Sequence, residues 1–178
     1  AKGYTDNIVD FMIGKIRLLP AVTQSALEAA ACVGSKVSLS TLAVVTDRTV
    51  DQARDDTQRA VEEGLLIEEY RFLHDRVQQA AYLLIPEDKR AGMHLRIGRL
   101  LRAAVPPELL EESVFDIVNQ FNLGSGLLES DAERLEIAEL NLRAGRKAKA
   151  STAYKAAAGY LASGLTLLPE KAWEGHYD

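Results

Sequence analysis

One cysteine in 178 residues, Cys32, leaves this chain no internal disulfide and no thiolate metal cluster. Between Ala31 and Val33 it reads as a core residue. Aromatic residues are sparse, at 6% of the chain. No apolar run reaches the ~18 residues a membrane-spanning helix needs, and the stretch Ala1 to Asp10 lacks the basic start and apolar centre of a signal peptide. The expectation is a soluble, cytoplasmic chain without a membrane partner. Catalytic motifs are missing too. Gly34-Ser35-Lys36 has neither the upstream glycine nor the ending of a phosphate-binding loop, so the chain is not expected to hydrolyse nucleotides by itself. No Ser-x-Gly elbow, His-Glu-x-x-His helix or Asp-rich calcium loop occurs. His74, His94 and His176 are too scattered for a metal site, and the carboxylate pairs Asp55-Asp56 and Glu62-Glu63 read as solvated helix faces.

What is present favours helix. The apolar fraction is 47%, and Ala and Leu are abundant. The net charge of −5 is unevenly laid out: residues 1–70 carry 7 basic and 11 acidic side chains, 71–104 carry 7 and 3, and 105–178 carry 7 and 12. Bulk charge therefore gives no support to nucleic-acid binding, and an anion site belongs in the basic middle.

Periodicity sets out the elements. Ile8, Phe11, Met12, Ile16 and Leu19 recur at helical spacing up to Pro20. A second helix starts at Pro20, carries Val22, Ala26, Leu27, Ala30 and Ala31 on its buried stripe, and stops at Gly34. Ser38 or Ser40 caps a short helix with Leu42, Val44 and Val45. Thr49 and Gln52 form a capping box for the next helix, whose inner face is Val50, Ala53, Thr57, Ala60 and Val61, ending at Gly64. Residues 65–70 and 71–73 read as two short strands. Three helices and a hairpin make a winged helix, yet no Gly, Asn or Pro marks the turn, so residues near Glu68 to Arg71 are either unusual or missing. The helix that would enter a DNA groove, residues 49–63, carries five acids against Arg54 and Arg59, which argues against duplex binding.

Beyond the hairpin, His74 to Ile85 is helical, Pro86 breaks it, and Glu87 to Ala104 follows with Met93, Leu95, Ile97, Leu100 and Leu101 inside. Pro106 and Pro107 mark a boundary. Helices over Leu109 to Leu123, Asp131 to Lys149 (capped by Ser130) and Ala153 to Leu168 complete the chain, the last stopped by Pro169. Gly145, Ala157, Leu161, Gly164 and Pro169 suit a tetratricopeptide-like hairpin, with Ala156, Ala157, Ala158 and Gly159 as the small residues of close approach. An Ala-rich helix in any bundle would look similar. His74 sits where the second strand meets a helix, and free N–H groups there favour an anion that the imidazole can contact. Asp75, in the first turn, complements the dipole. The residues alone leave open whether His74 and Asp75 serve an anion or only a cap.

A winged helix ending in Phe72-Leu73-His74-Asp75-Arg76-Val77 and followed by helical repeats resembles the region downstream of the nucleotide-binding core in STAND-class signalling ATPases. Phe72 to Tyr82, Leu95 to Leu101, Ile117 to Gly124 and Ala138 to Pro169 further resemble large bacterial multidomain sensor kinases. In these a Ser/Thr-kinase-like domain, a STAND-type ATPase, a long helical region, a GAF domain and a histidine kinase share one chain. The resemblance implies a mainly α fold: residues 1–19 as a helix linking from an upstream ATPase lid, 20–104 as a winged-helix domain with trailing helices, and 105–178 as an incomplete tetratricopeptide-like region. It implies that Leu73-His74-Asp75 corresponds to a Met-His-Asp motif, with Leu73 in place of Met. His74 would contact the β-phosphate of ADP in the closed state, and Asp75 would support that corner. ATP or ADP and Mg would belong to the parent protein, an ATPase or protein kinase, while this segment is a non-catalytic regulator. Its partners would be the upstream ATPase core in cis and a protein on the helical repeats. Two other readings stand beside it: an interaction scaffold of helical repeats, and a DNA-binding winged-helix regulator using the basic residues between Arg71 and Arg102.

Overall fold

The computed structural model describes residues 2–67 and 70–168, and the chain is mainly helical. Two compact units divide it, one up to Met93 and the other from His94. The expected stop at Pro169 and the residue His176 lie outside the described residues, as do 68 and 69 of the stretch Glu68 to Arg71, where the turn is expected to be unusual or residues missing.

The first unit contains α1 (Lys2–Arg17), α2 (Ala21–Val33), α3 (Leu39–Thr46), α4 (Val50–Glu62), β1 (Leu66–Ile67), β2 (Arg71–Phe72) and α5 (Asp75–Leu84). Helix α5 packs on α1 and α2, and α4 packs on α2 and α3. Small residues make these approaches close, because Ala30, Ala60, Ala80 and Ala81 are fully buried together with Ile16, Leu27 and Leu42. The one hydroxyl on the inner face of α4, that of Thr57, is buried without loss because it donates to the Ala53 carbonyl at 2.7 Å.

Helix boundaries follow local chemistry. Ser38, rather than Ser40, caps α3 by accepting from the Thr41 N–H at 3.0 Å. At α4 the Thr49 hydroxyl accepts from Gln52 N–H while the Gln52 side chain accepts from Thr49 N–H, a reciprocal capping box. Thr49→Ala is expected to cost about 1 kcal/mol, read as a fall in urea midpoint at constant slope. Helix α4 ends with Gly64 at φ 66°, where the Leu65 N–H reaches the Ala60 carbonyl and the Gly64 N–H that of Val61. Val50 and Val61, read above as part of the inner face of α4, are exposed. The buried stripe is Ala53, Thr57 and Ala60; Val50 lies in the first turn, and Val61 is turned about 100° from Ala60.

The strands are only two residues each, shorter than the spans 65–70 and 71–73 expected from composition, and pair antiparallel as Leu66 with Phe72 and Ile67 with Arg71. Lys36 bridges to Arg71 as well, so the segment between α2 and α3 lies along β2. Tyr70 stands at φ 51°, in the left-handed region. It occupies the last position of a three-residue connection, where such hairpins need that conformation. A tyrosine in that position carries none of the Gly, Asn or Pro signature of a turn.

Helix α6 (Glu87–Ala104) contains the division between the units. Of its expected inner residues, Leu95, Ile97 and Leu101 are buried, but Met93 and Leu100 are half-buried, and His94 and Gly98 occupy buried positions instead. The second unit continues with a 3-10 turn (Pro107–Leu109), α7 (Leu110–Gly124), a second such turn (Ser125–Leu127), α8 (Asp131–Ala150) and α9 (Tyr154–Leu167). Ser130 caps α8 as its position suggested. Two ion pairs join α6 and α8 with the same sequence offset: Arg99 grips both oxygens of Glu133 at 2.7 and 2.8 Å, and Arg102 meets Glu136 at 2.9 Å. A constant offset means that the two helices run parallel.

Helices α8 and α9 form the closest helical pair of this unit. A methyl on Gly145 would lie 2.8 Å from Leu161, and one on Gly164 would lie 3.1 Å from the Asn141 Cβ and 3.2 Å from the Ala138 carbonyl oxygen. These two glycines, with Ala157, make the approach; Ala156, Ala158 and Gly159, expected to contribute, are exposed on the far side. The turn between the helices repeats the closure seen after α4: the Ala153 N–H reaches the Ala148 carbonyl and the Thr152 N–H that of Lys149. The left-handed residue is now Thr152, at φ 61° and exposed. A β-branched residue is strained there, so Thr152→Gly is expected to raise stability by about 1 kcal/mol, measured as an upward shift of the urea midpoint. A loss of stability would show that the Thr152 side chain contributes more than its backbone costs.

Candidate functional site

The sequence points to the corner where β2 meets α5. Phe72 is buried and its N–H donates to the Ser35 carbonyl at 3.0 Å, while the Leu73 N–H donates to the Leu65 carbonyl at 3.0 Å. Three residues past His74, Val77 is again buried, with its N–H on the His74 carbonyl at 2.8 Å. The backbone is thus fixed before and after His74, while the Leu73 side chain is 57% exposed and those of His74 and Asp75 are exposed.

His74 is the N-cap of α5. With φ −152° and ψ 148° its backbone is extended, and its Nδ1 accepts from the Arg76 N–H at 3.1 Å. A ring nitrogen that accepts carries no proton, so the N–H of the neutral imidazole is Nε2, the nitrogen away from the helix. The same ring closes the helix end on one side and offers a donor on the other. Asp75 lies in the first turn, where its negative charge complements the helix dipole. Arg76 completes the corner, its guanidinium donating to Gln79 at 2.7 Å.

Behind this corner, Gln78 donates to the Ala31 carbonyl at 3.2 Å and ties α5 to α2. Cys32, next on α2, is buried; burial, then the neighbouring Glu28 carboxylate, push its thiol up to about 12 against the opposing pull of Arg90. It is a core thiol, not a nucleophile. Glu28 itself is raised by burial. Arg90 lies 5.0 Å over the Tyr82 ring and donates to the Ile85 carbonyl at 3.1 Å, holding the turn between α5 and α6. Among the described residues no group of three or more His, Cys, Asp or Glu could hold a metal ion.

On α4 both arginines are occupied within the helix, Arg54 with Asp51 and Arg59 with Glu62, each at 2.7 Å. The Gln58 and Arg59 side chains hold the Glu62 carboxyl below its ordinary range. This face presents no cation row for a phosphate backbone.

In the second unit, Leu135, Ala138, Glu139 and Leu142 of α8 and Leu161, Gly164, Leu165 and Leu168 at α9 line an open groove of about 340 Å³ that is almost wholly apolar. Sequence reasoning read this hairpin as tetratricopeptide-like but did not locate the groove. It missed two polar pairs: the buried His94 Nδ1 with Gln120 Oε1 at 2.8 Å, and the reciprocal amide pair of the half-buried Asn122 and the buried Asn141 at 2.9 and 3.0 Å. No local signal marks either pair, because the partners lie on different helices.

No family model matches the chain, and no solved structure matches it. Along 98% of its length it is similar to Hybrid signal transduction histidine kinase G of Dictyostelium discoideum, at 26% identity over 231 residues. The chain is therefore similar, nearly end to end, to a segment of a signal-transduction protein. It spans 7% of the length of that relative. The matched stretch is longer than the 178 residues of this chain, so the relative carries residues here that this chain lacks. Among the described residues no helix is long and apolar enough to cross a membrane.

Proposed function

We propose that this chain is a non-catalytic regulatory segment of a multidomain signal-transduction protein, in which a winged helix closes over a STAND-type ATPase core and tetratricopeptide-like helices receive a protein partner. The observation that carries the reading is the corner at His74. It follows a helix, a bridging segment, two helices and a hairpin in the order of a winged helix, and its ring turns an Nε2–H outward from a rigid backbone. That donor would meet the β-phosphate of ADP held by the upstream core, with Mg and the remaining nucleotide contacts supplied there. Because the contact exists only when the winged helix is closed, ADP binds the closed state better, and that difference in affinity shifts the population towards it. The similarity to a signal-transduction histidine kinase, of which the chain spans a small part, supports the setting.

The test uses the full-length polypeptide. His74→Ala is expected to weaken ADP binding on the order of tenfold, the scale of one hydrogen bond to a charged oxygen. His74→Asn is expected to lose the same affinity while keeping α5 capped, since an Asn oxygen can accept from the Arg76 N–H. Wild-type ADP affinity in both variants would overturn the sensor role.

A second reading, an interaction scaffold indifferent to nucleotide, draws on the apolar groove between α8 and α9. It is favoured if Leu161→Glu with Leu165→Glu abolishes partner capture while His74→Ala leaves capture and its response to ADP unchanged. The DNA-binding reading is not adopted, because several of the basic residues it relies on are engaged within the protein, Arg99 with Glu133, Arg102 with Glu136 and Arg90 over the Tyr82 ring.

A further inference from the structure

We draw no further inference here: the strongest candidate, the apolar groove that Leu135, Leu142, Leu161 and Leu165 line between α8 and α9, already serves as the partner face of the proposed function, and nothing in the structure shows what covers it.

Discussion

Phe121→Ala is expected to lower the stability of the second unit by about 3–5 kcal/mol, the range for emptying a fully buried aromatic site. Phe121, 2% exposed, lies on α7 with its ring against Gly98 of α6. A methyl on Gly98 would fall 3.0 Å from one ring carbon and 3.2 Å from two more, so the ring occupies the space a side chain would otherwise fill. Gly98→Leu alone is therefore expected to cost about 1–3 kcal/mol by overpacking. In the double variant the new leucine enters the space left by the ring, and the combined loss should be smaller than the sum of the two. Urea unfolding of the four proteins gives the coupling directly. Strict additivity would show that the two helices do not depend on this contact.

Asn141→Leu is expected to cost about 2–3 kcal/mol. Asn141 is fully buried, exchanges two hydrogen bonds with Asn122 and donates a third to the Ile137 carbonyl at 3.0 Å. Removing one amide strands the other in a part-buried site, which costs more than the bond itself contributed. Replacing both by leucine removes the stranded group, so Asn122→Leu with Asn141→Leu should unfold at a higher urea concentration than Asn141→Leu alone. A double variant no more stable than the single one would mean that packing around the pair, rather than amide satisfaction, sets the loss.

These two sites show which parts of the fold were open to reading and which were not. Thr49 and Gln52 were legible as a capping box because both partners lie within one helical turn and their types are diagnostic. The junction at His74 was legible because a buried residue, a polar residue and a helical stripe follow each other in order. Tyr70 and Thr152 were not, since each adopts a left-handed conformation that glycine would take more easily, and their own side chains give no sign of it. Asn122 and Asn141 are 19 residues apart on separate helices; each alone looks like an ordinary polar position. His94 gives no sign of its partner in the sequence, and its burial beside Gln120 emerges only when α7 is laid against α6. Composition likewise overstated the strands, whose pairing is two residues long.

The ion pairs between α6 and α8 carry one more consequence. Arg96, Arg99 and Arg102 are evenly spaced along one helix, and Glu133, Glu136 and Glu139 are spaced identically along the other. A slide of three residues, about 4.5 Å, would match Arg96 with Glu133, Arg99 with Glu136 and Arg102 with Glu139. The two rows behave like combs with equal teeth: they attract at more than one alignment and cannot choose among them. The choice falls to features that occur only once, the notch at Gly98 that admits the Phe121 ring and the amide pair of Asn122 and Asn141. Both features are contacts of α7, one with α6 and the other with α8, so it is α7, through a missing side chain and a single polar handshake, that sets where the two charged rows stop along each other.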